Sequence, residues 1–150
     1  MYCKPLTLLI RARELEPDNA AAAINLGGAY ILQGKHKAAV PLLQAAARLE
    51  PDNAMVWTNL AAAYLGRLPF ATAEMQDRAI AAFKTALRLD PAAPHVNYDL
   101  ALIYLERQDI EQAALHFYAA LENDPNDRDA EMWLGRIRRG EATKGAPPAD

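Results

Sequence analysis

Pro17, Pro51, Pro91 and Pro125 each close a run of the Ala-x-x-Leu type, with Asn123 in place of the leucine in the fourth, and they stand 34, 40 and 34 residues apart. A period in this range constrains the chain more than anything else in it. It specifies stacked supersecondary units, none of which can bury its own apolar face alone. Function in such an array belongs to the faces that stacking creates rather than to one enclosed pocket.

Lined up on those prolines, Leu26, Leu60 and Leu100 fall in one column, Gly27, Ala61 and Ala101 in the next, and Tyr30, Tyr64 and Tyr104 three residues on. The second half keeps register: Ala39, Ala79 and Ala113, then Leu43, Phe83 and Phe117, then Ala46, Ala86 and Ala120. Segments 20–33, 36–49, 54–67 and 96–107 carry apolar residues at helical spacing and are rich in the strong helix formers Ala and Leu. Small residues at Gly27, Ala39 and Ala46 allow two backbones to approach closely, with Tyr30 and Leu43 filling the space beside them. Each unit is therefore a helix hairpin. Gly34 supplies a turn, and each proline stops a second helix because it has no amide hydrogen and disfavours helix in the residue before it. Asn19 and Asn53 stand where N-caps belong.

This column pattern, with Trp57 at the aromatic position that opens a first helix, resembles the tetratricopeptide repeat family over about residues 2 to 138. The resemblance implies an all-α fold, a right-handed superhelical stack of antiparallel helix hairpins (an α-solenoid) of about eight helices. The expected divisions are a half repeat 2–17, full repeats 20–53, 54–93 and 94–127, a capping helix 128–139 and a disordered tail 140–150 rich in Gly, Pro and Ala. Tyr2 falls in the column of His36, so the chain is expected to begin with a second helix whose first helix is either truncated or supplied by another molecule. In the last helix Leu134 and Gly135 keep register, while Asp129, Arg138 and Arg139 suit a wet outer face.

The composition, 150 residues with 52% hydrophobic content, suffices for one soluble domain with a continuous core. A net charge of -3 argues against nucleic acid, which demands a concentrated basic surface. Arg136, Arg138, Arg139 and Lys144 make only a local, solvated basic end. Cys3 is the single cysteine, leaving no internal disulfide or thiolate cluster and fitting a reduced, cytoplasmic setting. The apolar run Leu6 to Ile10 is far too short to span a membrane and sits in helix register rather than reading as a signal peptide.

His36, His95 and His116 lie in three different helices without a Cys or carboxylate at metal-ligand spacing, so no metal or other cofactor is expected. No phosphate loop, nucleophile elbow or zinc-protease helix occurs, and Asp18, Asp52 and Asp90 read as capping and dipole residues at helix ends. The chain reads as non-catalytic.

Asn25, Asn59 and Asp99 each immediately precede the leucine of their repeat, a column that in this family faces the concave groove. Packing does not require an amide there. Tetratricopeptide arrays of some protein glycosyltransferases use a similar Asn ladder to hold the backbone of an extended peptide, and the resemblance gives Asn25 and Asn59 that role. An amide both donates and accepts, so it pairs with a peptide group whatever the side chains; the alternative is that these amides bind only water. Asp99 can only accept when ionised, which favours a peptide amide or a basic side chain near it. Ala21, Ile24, Gly28, Met55, Thr58, Ala62, His95, Tyr98, Leu102 and Met132 share the face, a mostly apolar lining. Trp133 occupies the ladder column in the last helix, as an aromatic platform closing the groove or as a core residue of the end cap. The basic residues with which chaperone-binding members clamp a peptide's terminal carboxylate are missing from the corresponding positions.

Six extra residues in the middle repeat, around 66–72, lengthen a turn and the following helix, with Thr72 as N-cap and Phe70 either a contact residue or tucked back on its own helices. Pro41 falls early in a second helix, where it removes a hydrogen bond or bends the first turn. The leading function is an adaptor for a protein or peptide ligand. The alternatives are a homo-oligomer formed through the unpaired N-terminal helix, and the substrate-recruiting part of a larger enzyme.

Overall fold

Short polar side chains decide where most of the helices begin. Asn19 Oδ1 accepts from the Ala22 amide at 3.3 Å, Asn53 Oδ1 from Met55 at 3.0 Å, Thr72 Oγ1 from Met75 at 3.2 Å, Asp109 Oδ1 from Gln112 at 3.2 Å and Asp127 Oδ1 from Ala130 at 3.0 Å. Each satisfies a first-turn donor that has no partner inside the helix. In the computed structural model, which describes residues 6–141, the helices so defined are α1 (Leu6–Leu15), α2 (Ala20–Leu32), α3 (His36–Leu49), α4 (Ala54–Leu65), α5 (Ala73–Leu89), α6 (Val96–Glu106), α7 (Ile110–Asn123) and α8 (Arg128–Arg138), with a 3-10 turn at Leu68–Phe70. These eight helices and no strand make up the regular structure of the described residues, an all-α helical repeat fold. The expectations for Tyr2, Cys3 and Lys144, and nearly all of the tail, lie outside the described residues.

Capping falls to Asn19 and Asn53 rather than to the neighbouring Asp18 and Asp52, which are exposed in the turns. Asp90 corrects the sequence reading further. It terminates α5 at the carboxyl end, where the helix dipole disfavours a carboxylate. Gly34, at φ 76°, takes the left-handed conformation that turns α2 into α3.

The boundary before α6 departs from the others. Ala93 stands in the column of Asn19, Asn53 and Asp127 and offers no capping oxygen, so α6 starts only at Val96, after Pro94 and after His95 in the left-handed region at φ 64°. No side chain caps this helix.

The chain divides into two compact units, α1 to α5 in one and the 3-10 turn with α6 to α8 in the other. In the first, successive helices pack pairwise and α2 also touches α4. Its core gathers Ala23, Ala39, Leu43, Ala46, Val56 and Leu60, so the small-residue columns are where the helices meet. A Cβ added to Gly27 would stand 2.9 Å from Leu43 Cγ, which explains the glycine. Pro41 sits inside α3 without ending it, and α5, at 17 residues against 14 in α3, absorbs part of the insertion. None of α1 is buried.

In the second unit α7 packs between α6 and α8, and the 3-10 turn lies against α6. Phe117 and Leu100 are fully buried. Phe70, at the end of the turn, is 82% exposed, so the tucked-back placement is corrected: its side chain is left in solvent rather than packed on its own helices.

Candidate functional site

On α2 and α4, Asn25 and Asn59 sit one helical step from the buried Leu26 and Leu60, which fixes both amides at the margin of the core. Asn25 is exposed and Asn59 half-buried. Around them Ile24, Gly28, Thr58 and Ala62 are half-buried, whereas Ala21 and Met55 are exposed. The Thr58 hydroxyl donates to the Ala54 carbonyl at 3.1 Å, so its proton is held by its own helix. Other asparagines spend their side chains internally: the amides of Asn19 and Asn53 donate to Glu16 Oε2 at 2.7 Å and Glu50 Oε1 at 3.0 Å. Asn25 and Asn59 make no side-chain hydrogen bond to any described residue.

The remaining candidates belong to the second unit. His95, Tyr98, Asp99 and Leu102 are carried by the start and body of α6, and Met132 and Trp133 by α8. Trp133 is 2% exposed, its ring stacked on Phe117 at 6.1 Å between centroids and 11° between planes, with the Arg136 guanidinium 5.3 Å from its own centroid. That places its indole in the core of the unit rather than on an open platform. The rings of Tyr98 and Phe117 meet in a T-shaped pair, 5.7 Å between centroids and 64° between planes. Met132 is exposed and Leu102 half-buried.

Where α6 starts late, a cleft of about 650 Å³ opens among the loop before α6, the first turn of α6, the end of α7 and the start of α8. His95 and Tyr98 line it, as do Asn97, Asp124, Asp127 and Asp129, none of them singled out as binding residues by the sequence. The one available signal was the missing cap, Ala93 followed by a second proline. Asp99 beside it is largely desolvated, and that burial pushes its carboxyl up to about 6, against a smaller opposing pull from His95. Burial likewise raises the Tyr98 phenol, countered by the Trp133 indole and reinforced by Asp129, Asp127 and Asp99. The Trp133 N–H nevertheless makes no hydrogen bond of acceptable distance and angle.

No group of three His, Cys, Asp or Glu side chains among the described residues is placed to hold a metal ion, and no described helix is long and apolar enough to cross a membrane.

Comparison with known proteins agrees with the helical-repeat fold. Residues 6–62 and 77–128 match two models of the tetratricopeptide repeat, and the chain belongs to the tetratricopeptide repeat family. No curated protein matches the sequence significantly. Among solved structures, MamA from MSR-1 is 36% identical, with a TM-score of 0.68 over 80% of this chain and 66% of that one. MamA 41-end from Desulfovibrio magneticus RS-1 is 24% identical, with a TM-score of 0.72 over 82% of this chain and 66% of that one, a likeness of fold alone. So is that to the first repeat domain of Spaghetti (RPAP3) bound to the HSP90 peptide SRMEEVD, 24% identical with a TM-score of 0.72 over 83% of this chain and 94% of that one. The chain spans about two thirds of the length of these MamA structures.

Proposed function

We propose that the chain is a non-catalytic protein-interaction module that holds an extended peptide against the face carrying Asn25 and Asn59. The domain plan behind this reading is three full repeats, 20–53, 54–93 and 94–127, with a half repeat before them and a capping helix after. Family membership supports an interaction role, and the RPAP3 structure gives an instance of this fold with a peptide in it. The carrying observation is narrower. Two side-chain amides, on the first helices of successive repeats and in the same register, have no partner among the described residues, while Asn19, Asn53 and Asn97 are used internally. Each amide can donate to a peptide carbonyl and accept from a peptide N–H, a pairing indifferent to the peptide's sequence. Neutral hydrogen bonds of this kind contribute about 0.5–1.5 kcal/mol each, so two amides bind only together with apolar contact from neighbours such as Ile24 and Met55.

The test is selection from a displayed library of random decapeptides by wild type and by an Asn25→Ala, Asn59→Ala double variant whose helical circular dichroism is unchanged. Peptides enriched by wild type and lost by the variant support the reading. Equal enrichment by both, or none by wild type, overturns it.

A further inference from the structure

We infer that the outward face of α7 is a second docking surface, which receives an amphipathic helix whose apolar stripe is bracketed by lysine or arginine. It lies on a different helix from the Asn25 and Asn59 amides and does not depend on the peptide-binding reading above.

The period of α7 gives it two faces. Ala113, Phe117 and Ala120 form its buried stripe. Nearly opposite, Glu111, Leu115, Tyr118 and Glu122 recur at i, i+4, i+7 and i+11, within about 60° of one another around the helix axis. All four are exposed, Leu115 at 55% and Tyr118 at 48%. A helix face turned away from its core is ordinarily polar. The same columns hold Pro41, Gln44 and Arg48 in α3, and Ala81, Lys84 and Arg88 in α5, so α7 departs from both by setting large apolar side chains there and an acid in place of the arginine. Glu111 stands one turn before Leu115 and Glu122 one turn after Tyr118, a stripe about 16 Å long. Neither glutamate makes a hydrogen bond or ion pair with any described residue.

This order of charge and apolar surface selects the occupant. Two uncompensated carboxylates repel nucleic acid and an anionic membrane surface. They disfavour a second copy as well. Packed antiparallel through the two apolar residues, two copies set Glu111 against Glu122, and packed parallel they set each glutamate against its own counterpart. A helix with two large apolar residues three apart, and a cation one turn outside each, covers Leu115 and Tyr118 while its charges meet both carboxylates.

The probe is a capped, fluorescein-labelled, alanine-based peptide carrying Lys-x-x-x-Leu-x-x-Leu-x-x-x-Lys. One control replaces both lysines by glutamate, and another replaces both leucines by alanine. Fluorescence anisotropy with the full chain should show saturable binding of the basic peptide alone. A Glu111→Lys, Glu122→Lys double variant should weaken it about tenfold, and a Leu115→Gln, Tyr118→Gln double variant should abolish it. These side chains face away from the core, and unchanged helical circular dichroism establishes that both variants are folded. No saturable binding, equal binding of either control, or an affinity that either double variant leaves unchanged overturns the inference. So does self-association of the chain that Leu115→Gln, Tyr118→Gln abolishes, which would make a second copy the occupant. The Asn25→Ala, Asn59→Ala variant should bind this peptide as wild type does, so the two readings fail separately; loss of binding there would place the probe on the asparagine face and overturn the α7 assignment.

Discussion

Asp99 carries a charge that costs the fold stability. Its carboxyl titrates near 6 in the folded chain because burial disfavours the ion, against an ordinary value of 3.8. Between these values the folded state holds the proton more tightly than the unfolded state does. The favourable contribution is therefore complete below about pH 4 and is lost as pH rises through 6. At neutral pH the ion is a liability, and Asp99→Asn should stabilise the chain by roughly 1–3 kcal/mol. Thermal melts of both proteins from pH 3.5 to 8 test this: the advantage of the variant should grow between pH 4 and 6 and stay level above. A constant difference across the range would mean that the carboxylate is not desolvated.

At the scale of the element, the hairpins were largely legible in the sequence. Segments read as 36–49 and 96–107 are observed as His36–Leu49 and Val96–Glu106, because the proline period and the Ala and Leu columns specify the same boundaries. The cleft was not legible. It depends on the path of the loop before α6, where His95 adopts a left-handed backbone, a choice no local propensity dictates. Nor was the split within one sequence column between exposed Asn25 and buried Trp133, since only the neighbours set burial. Pro41 is the element-level conflict that remains. It lies in the second turn of α3 on the exposed side, where it removes the hydrogen bond to the Lys37 carbonyl while contributing nothing to the core. Replacing it by alanine restores that bond and removes a residue that costs about 3 kcal/mol in a helix interior. Pro41→Ala should raise the urea midpoint with an unchanged slope, by about 1–3 kcal/mol once relaxation around the proline is allowed for. An unchanged midpoint would mean that α3 already accommodates the ring without loss.

At the scale of the molecule, each of the two units holds its own largest buried side chains, Leu43 and Phe83 in one and Phe117 and Leu100 in the other. Repeat arrays draw stability from within each repeat and from its immediate neighbours, so damage should remain where it is made. Leu43→Ala empties a site among α2, α3 and α4, at a cost of about 2–5 kcal/mol, and Phe117→Ala empties the site under Tyr98 and Trp133, at about 3–5 kcal/mol. In native-state hydrogen exchange, the first variant should lose protection in α2 to α4 while α6 to α8 keep theirs, and the second should do the reverse. Uniform loss of protection from either substitution would show instead that the eight helices unfold as one block.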